Sequence, residues 1–195
     1  MKRGIEIPPA SRGFTLVELL VSIAIFTFIT TVAIFNNAQF NGSVLLTNLA
    51  YEIGLSIRQA QFYGISVRQN AALSFNSGYG IDFNTASPSS YVLFEDKTGG
   101  TAHVKDAGDV DIQTFTIGKG NRISKICLNG VTPCSAAIVD VTFLRPNPDA
   151  YIRSAGTSYG KAEICLQSPQ GLKRKVTVES TGQISAGADD TGVCN

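Results

Sequence analysis

The sequence predicts an α+β fold in which a long N-terminal α-helix, membrane-spanning over its first half, packs on a small antiparallel β-sheet domain. Three observations carry this. Residues 14–35, FTLVELLVSIAIFTFITTVAIF, are apolar almost throughout and contain no Pro. Apolar residues then recur at helical spacing as Leu46, Leu49, Ile53, Ile57 and Ala60. From about residue 70 the pattern changes to short alternating runs separated by turn residues, as antiparallel strands require.

A helix over residues 14–35 would be about 33 Å long, enough to cross the hydrocarbon layer of a bilayer. Lys2, Arg3 and Arg12 precede it and Gly13 stands immediately before Phe14. A secretory signal peptide would place its cleavage site after the apolar region, whereas here the small residue comes first. Cleavage after Gly13 would remove a short basic leader and leave the hydrophobic helix as the new N-terminus. The basic leader keeps its own side cytoplasmic by the positive-inside tendency, so the following domain is delivered outside. Glu18 is the exception within the span, at about 2.5–3.5 kcal/mol for an acidic residue at the centre of a membrane helix. Its place in the first turn offsets part of that cost, because the helix N-terminus is partly positive.

The run Gly13-Phe14-Thr15-Leu16-Val17-Glu18 resembles the type IV prepilin (class III) signal. That resemblance implies a prepilin peptidase/methyltransferase that cuts after Gly13 and N-methylates Phe14. It also implies that Glu18 pairs with the methylated amine of an adjacent subunit during assembly, neutralising two charges in an apolar setting. Many pilins have Pro where Phe35 stands here, so this helix is expected to run on toward residue 65. Asn36, Asn37 and Gln39 mark the exit from the apolar layer, and Gly42, Gly54 and Gly64 are positions where a bend or break is expected. Asn48, Glu52, Ser56 and Gln59 form the opposite, polar face.

Expected strands cover Ala71–Phe75, Tyr79–Phe83, Tyr91–Asp96, Thr114–Ile117, Ile123–Leu128, Ile138–Leu144, Ala162–Leu166, Lys173–Glu179 and Gly182–Ala186. Val139, Val141 and Phe143 point one way and Asp140 and Thr142 the other, predicting a sheet with one buried face. Ser168-Pro169-Gln170-Gly171 fits a type I turn. Segments 97–111 and 145–160, rich in Gly, Asp, Asn, Pro and Ser, read as loops. The long helix with its small sheet domain resembles the pilin-like fold. Within it, Tyr79–Phe83, Tyr91–Phe94, Val176–Val178 and Gly182–Ile184 look like the GspH/FimT class of minor pseudopilins of type II secretion and related minor pilins. The organisation expected is a cleaved leader at 1–13, a transmembrane and assembly helix at 14–35, a continuing amphipathic helix at 36–69 and an extracytoplasmic β domain at 70–195.

Of 16 basic and 15 acidic residues, three basic and one acidic lie in residues 1–13, leaving 13 against 14 after cleavage. That balance gives no general argument for nucleic-acid binding, which draws most of its affinity from a basic face. The local cluster Lys173-Arg174-Lys175 is a weak DNA-contact candidate, since some competence minor pilins contact DNA through basic C-terminal residues. On an alternating strand Lys173 and Lys175 share a face opposite Arg174, which favours a solvated strand edge.

The four cysteines, Cys127, Cys134, Cys165 and Cys194, are separated by six, thirty and twenty-eight residues, too far apart for the close pairs of a structural zinc site. Outside the cytoplasm disulfides are expected. Of the three connectivities open to four cysteines, Cys127–Cys134 with Cys165–Cys194 is preferred, because the first pair closes a small loop and the second ties down the tail. Gly156-Thr157-Ser158-Tyr159-Gly160 matches a nucleophile elbow formally, but that motif needs a strand-to-helix turn and a His after the Ser. His103, the one histidine, lies upstream and reads as a solvated surface residue. Asp106, Asp109, Asp111, Asp189 and Asp190 lack the EF-hand spacing and read as solvated loop carboxylates. No catalytic residue, metal or cofactor is expected. The expected protein is a filament subunit whose partners are other pilin or pseudopilin subunits, the prepilin peptidase and, before assembly, inner-membrane lipid; a competence pilin or anchored module that binds DNA or another extracellular partner is the alternative.

Overall fold

A computed structural model of the chain describes residues 13–66, 77–97 and 100–194, with the backbone alone for 35–40. The basic leader and the strand expected at Ala71–Phe75 lie outside the described residues. The structure divides into two compact units, Met1–Phe40 and Asn41–Asn195.

One helix, α1, runs Leu16–Ile65. Thr15 caps it: its Oγ1 accepts the Glu18 backbone N–H at 3.2 Å, and its carbonyl accepts that of Leu19 at 3.1 Å. The expected breaks at Gly42, Gly54 and Gly64 are absent. At Gly64 a Cβ would collide with the Phe143 carbonyl, so this glycine allows close approach of helix and sheet. The helix runs to Ile65, where Ser66 donates its N–H to Phe62 O and its hydroxyl to Tyr63 O; residues 67–69 of the expected amphipathic helix lie outside the described residues.

Ten strands follow: β1 Gly78–Asn84, β2 Ser90–Asp96, β3 Val110–Thr116, β4 Arg122–Leu128, β5 Ile138–Phe143, β6 Ala150–Ser154, β7 Thr157–Tyr159, β8 Lys161–Gln167, β9 Lys173–Glu179 and β10 Ile184–Ala188. They form two antiparallel sheets, one ordered β3-β2-β1-β5-β6-β7 and the other β10-β9-β8-β4. The expected helical face is buried at Leu46, Leu49, Ile53, Ile57 and Ala60. It joins Ile81, Phe83, Val139, Val141 and Phe143 of the first sheet, and Ile126, Ile164, Val176 and Val178 of the second, in one core. Each such side chain contributes about 1.5–3 kcal/mol on full burial.

Several expectations change. Ser56, placed on the polar face, is buried and shares a 3.0 Å hydrogen bond with the Tyr91 hydroxyl. The supposed loop 145–160 holds the hairpin β6–β7, turned by Ala155 (φ 48°) and Gly156 (φ 80°), where positive φ at both central residues suits the strand twist. β3 begins at Val110, not Thr114, and is an exposed edge. The 168–171 turn forms, with the Gly171 N–H donating to Ser168 O at 3.0 Å. β5 is covered on both faces: Asp140 and Thr142, expected outside, are buried beneath the segment after β2.

Candidate functional site

The N-terminal segment is built for exposure. Gly13 to Thr15 precede the helix, a Cβ at Gly13 would meet no atom of the described residues within 4 Å, and Phe14 is 78% exposed. A flexible, unobstructed Gly-Phe bond is what a peptidase needs to draw backbone into its cleft. Leu16–Ile34 is long and apolar enough to span a membrane, and none of it is buried. Its hydroxyls are spent inside the helix: Ser22, Thr27, Thr30 and Thr31 each donate to the carbonyl four residues earlier at 2.7–2.8 Å. Apart from Glu18, the segment therefore presents hydrocarbon with its hydroxyls satisfied, as lipid or a neighbouring apolar helix demands.

Glu18 sits at the third helical position after Thr15. Thr15-x-x-Glu18 is a capping-box pattern, legible in the sequence, and its Thr15 half forms through the Glu18 N–H. The carboxylate also stands at the partly positive helix end.

The cysteines lie together on the outer face of the second sheet. Disulfides join Cys127 to Cys134 (Cα–Cα 4.4 Å) and Cys165 to Cys194 (5.6 Å), and Cys127 Sγ and Cys165 Sγ are 4.0 Å apart. Asp189, far from being solvated, organises the tail, its carboxylate accepting the N–H groups of Val193 and Cys194 at 3.1 and 2.8 Å. Asp106 and Asp109 do the same in the segment after β2, accepting N–H groups of Thr101, Gly108, Lys97 and Asp106.

The basic cluster is not a strand edge, because β9 is interior to its sheet. Arg174 donates to Thr47 Oγ1 at 3.1 Å and Ser43 Oγ at 3.2 Å on the helix. Lys175 pairs with the buried Glu163 at 3.0 Å and approaches Asp189 at 3.8 Å. Arg174 and Lys175 are thus engaged by the fold. Ser158 lies in the short strand β7, across from Arg153, with no strand-to-helix turn.

His103 is the largest departure from expectation. Its ring stacks on Tyr151 with centroids 3.8 Å apart and 5° between planes, its Nδ1 lies 3.1 Å from Thr142 Oγ1, and its backbone N–H donates to Asp96 Oδ2 at 2.9 Å. Burial and the Arg153 charge lower its pKa, so the imidazole is neutral at pH 7 and its 3.6 Å approach to Asp96 is not a full ion pair.

Residues 9–34 match the family described as the prokaryotic N-terminal methylation motif. The match brackets Gly13, Phe14, Glu18 and the whole exposed apolar span. No curated protein and no solved structure matches the chain.

Proposed function

We propose that this type IV prepilin-like chain is a structural minor pilin or pseudopilin, processed after Gly13, methylated on Phe14 and built into a filament through its N-terminal helix. The motif implies processing by prepilin peptidase and assembly with other pilin subunits. The observation that carries the reading is the coincidence of the matched motif with an unobstructed Gly13-Phe14 junction and a wholly exposed apolar helix. Before assembly the span holds the chain in the inner membrane, single-pass, with the β domain extracytoplasmic. Afterwards the same surface packs in the filament, and the Glu18 carboxylate meets the methylated amine of a neighbour. The fold and strand pattern favour the GspH/FimT class.

Intact mass measurement on the chain recovered from cells with an active prepilin peptidase tests this. The expected mass lacks residues 1–13 and carries one added methyl group; retained Met1 overturns it. For Glu18 the informative variant is Glu18→Gln, which keeps the capping-box pattern and removes the charge. Normal processing with lost incorporation into filaments supports the charge pair, and normal incorporation rejects it.

A further inference from the structure

Outside the assembly segment, the most heavily constrained polar site is the outer face of the first sheet. Three strands bring Asp82, Asp140 and Arg153 into one lateral row, since Asp82 is the register partner of Asp140 and Asp140 that of Arg153. Asp140 is 3% exposed, and among the described residues its Oδ1 has no hydrogen-bond partner; the buried Nε of Arg153 has none among them either. Segment 100–109 covers this row. It is fastened by His103, through Thr142, Tyr151 and Asp96, and by Lys105, whose N–H bonds the Asp140 carboxyl and whose ammonium pairs with Asp111 at 3.1 Å. Two side-by-side carboxyls under a fastened segment, with an oxygen left unpaired, are the arrangement that retains a proton in place of a second charge.

We propose that segment 100–109 is a proton-linked latch: it is held on the sheet while the Asp82–Asp140 pair carries a proton, and it is released when the pair loses it. The groups facing Asp140 are Asp82 from β1, Arg153 from β6, and Lys105 and Asp109 from the segment itself; Asp111 of β3 also faces Asp82. Burial, and then the Asp82 charge, push Asp140 up to about 7, and burial raises Asp82 and Asp96. A carboxyl raised in the closed state binds more protons closed than open, so closure weakens as pH rises from the ordinary carboxyl range through about 7. His103 acts oppositely, because its lowered pKa makes protonation oppose closure below the ordinary histidine value. The Asp140 shift is the larger of the two, so on balance closure weakens as pH rises toward about 7. What release uncovers is a row of two carboxylates and a guanidinium on a domain expected to face the exterior.

Amide hydrogen exchange of the full chain in detergent, expressed as protection factors for the N–H groups of His103 and Lys105 between about pH 5.5 and 8, tests the latch. Protection should fall across that range, and Asp140→Asn should abolish on the order of tenfold of the fall. Asp82→Asn should move the midpoint to lower pH, an effect that simple loss of packing would not produce. Protection that is flat with pH in the unmodified chain, or an unchanged pH dependence in both variants, overturns the proposal. Restoration of protection at pH 8 by millimolar calcium would assign the pair to a metal cation and equally overturn it.

Discussion

The hydroxyls of Ser56 and Tyr91 meet at 3.0 Å in a buried contact that ties α1 to β2. Ser56 also donates to Glu52 O at 3.0 Å, so a proton on Tyr91 completes the pair. The Tyr91 ring is stacked on Phe115 at 4.8 Å and tilted against Phe83 at 5.5 Å, which leaves no room for a hydrated phenolate. Burial pushes its pKa up to about 12.

An absorbance titration should therefore find Tyr91 ionising late among the six tyrosines. The raised value means the folded state binds more protons than the unfolded one between about pH 10 and 12, so stability falls across that window. Tyr91→Phe should remove the late step and cost about 0.5–1.5 kcal/mol. A complete titration near pH 10 in the folded chain would contradict the placement.

Two helix glycines make opposite predictions. At Gly54 an added Cβ meets only Ala186 Cβ at 3.8 Å and Ile184 Cγ2 at 3.9 Å, so Gly54→Ala should stabilise by up to about 1 kcal/mol through helix propensity. At Gly64 the same atom collides with the Phe143 backbone, and Gly64→Ala should destabilise by about 1–3 kcal/mol. Thermal melts of the two variants in detergent should shift in opposite directions; shifts of the same sign would reject the close approach at Gly64.

These cases show what the sequence could disclose. The face Leu46 to Ala60 was legible because helical periodicity reports burial directly, and the β9 span was legible from its alternation. Ser56 was not, because its partner lies 35 residues away and only tertiary structure removes that hydroxyl from water. His103 was misread for the same reason: Tyr151, on which it stacks, stands in a stretch that Pro146, Pro148 and Gly156 make look like loop. The Thr15-x-x-Glu18 cap is visible in the letters, but the helix dipole and the assembly contact already account for an acid there, so the spacing to Thr15 draws no notice.

Glu163 supplies the last prediction. Its side chain is 1% exposed, with Lys175 at 3.0 Å and Lys161 at 3.2 Å, and its Oε2 has no hydrogen-bond partner among the described residues. Lys175 is itself largely covered, at 13%, whereas Lys161 is 36% exposed and its contribution is screened. Lys175→Met should therefore cost about 3–5 kcal/mol by leaving a buried carboxylate short of its main partner. Lys161→Met should cost no more than about 1 kcal/mol. Denaturant midpoints compare the two, and equal losses would mean that Lys175 is not the dominant partner. The result also bears on the basic cluster: changing Lys173, Arg174 and Lys175 together removes fold contacts as well as charge, so DNA-binding loss reports a DNA contact only where the denaturant midpoint is unchanged and the salt dependence is reduced.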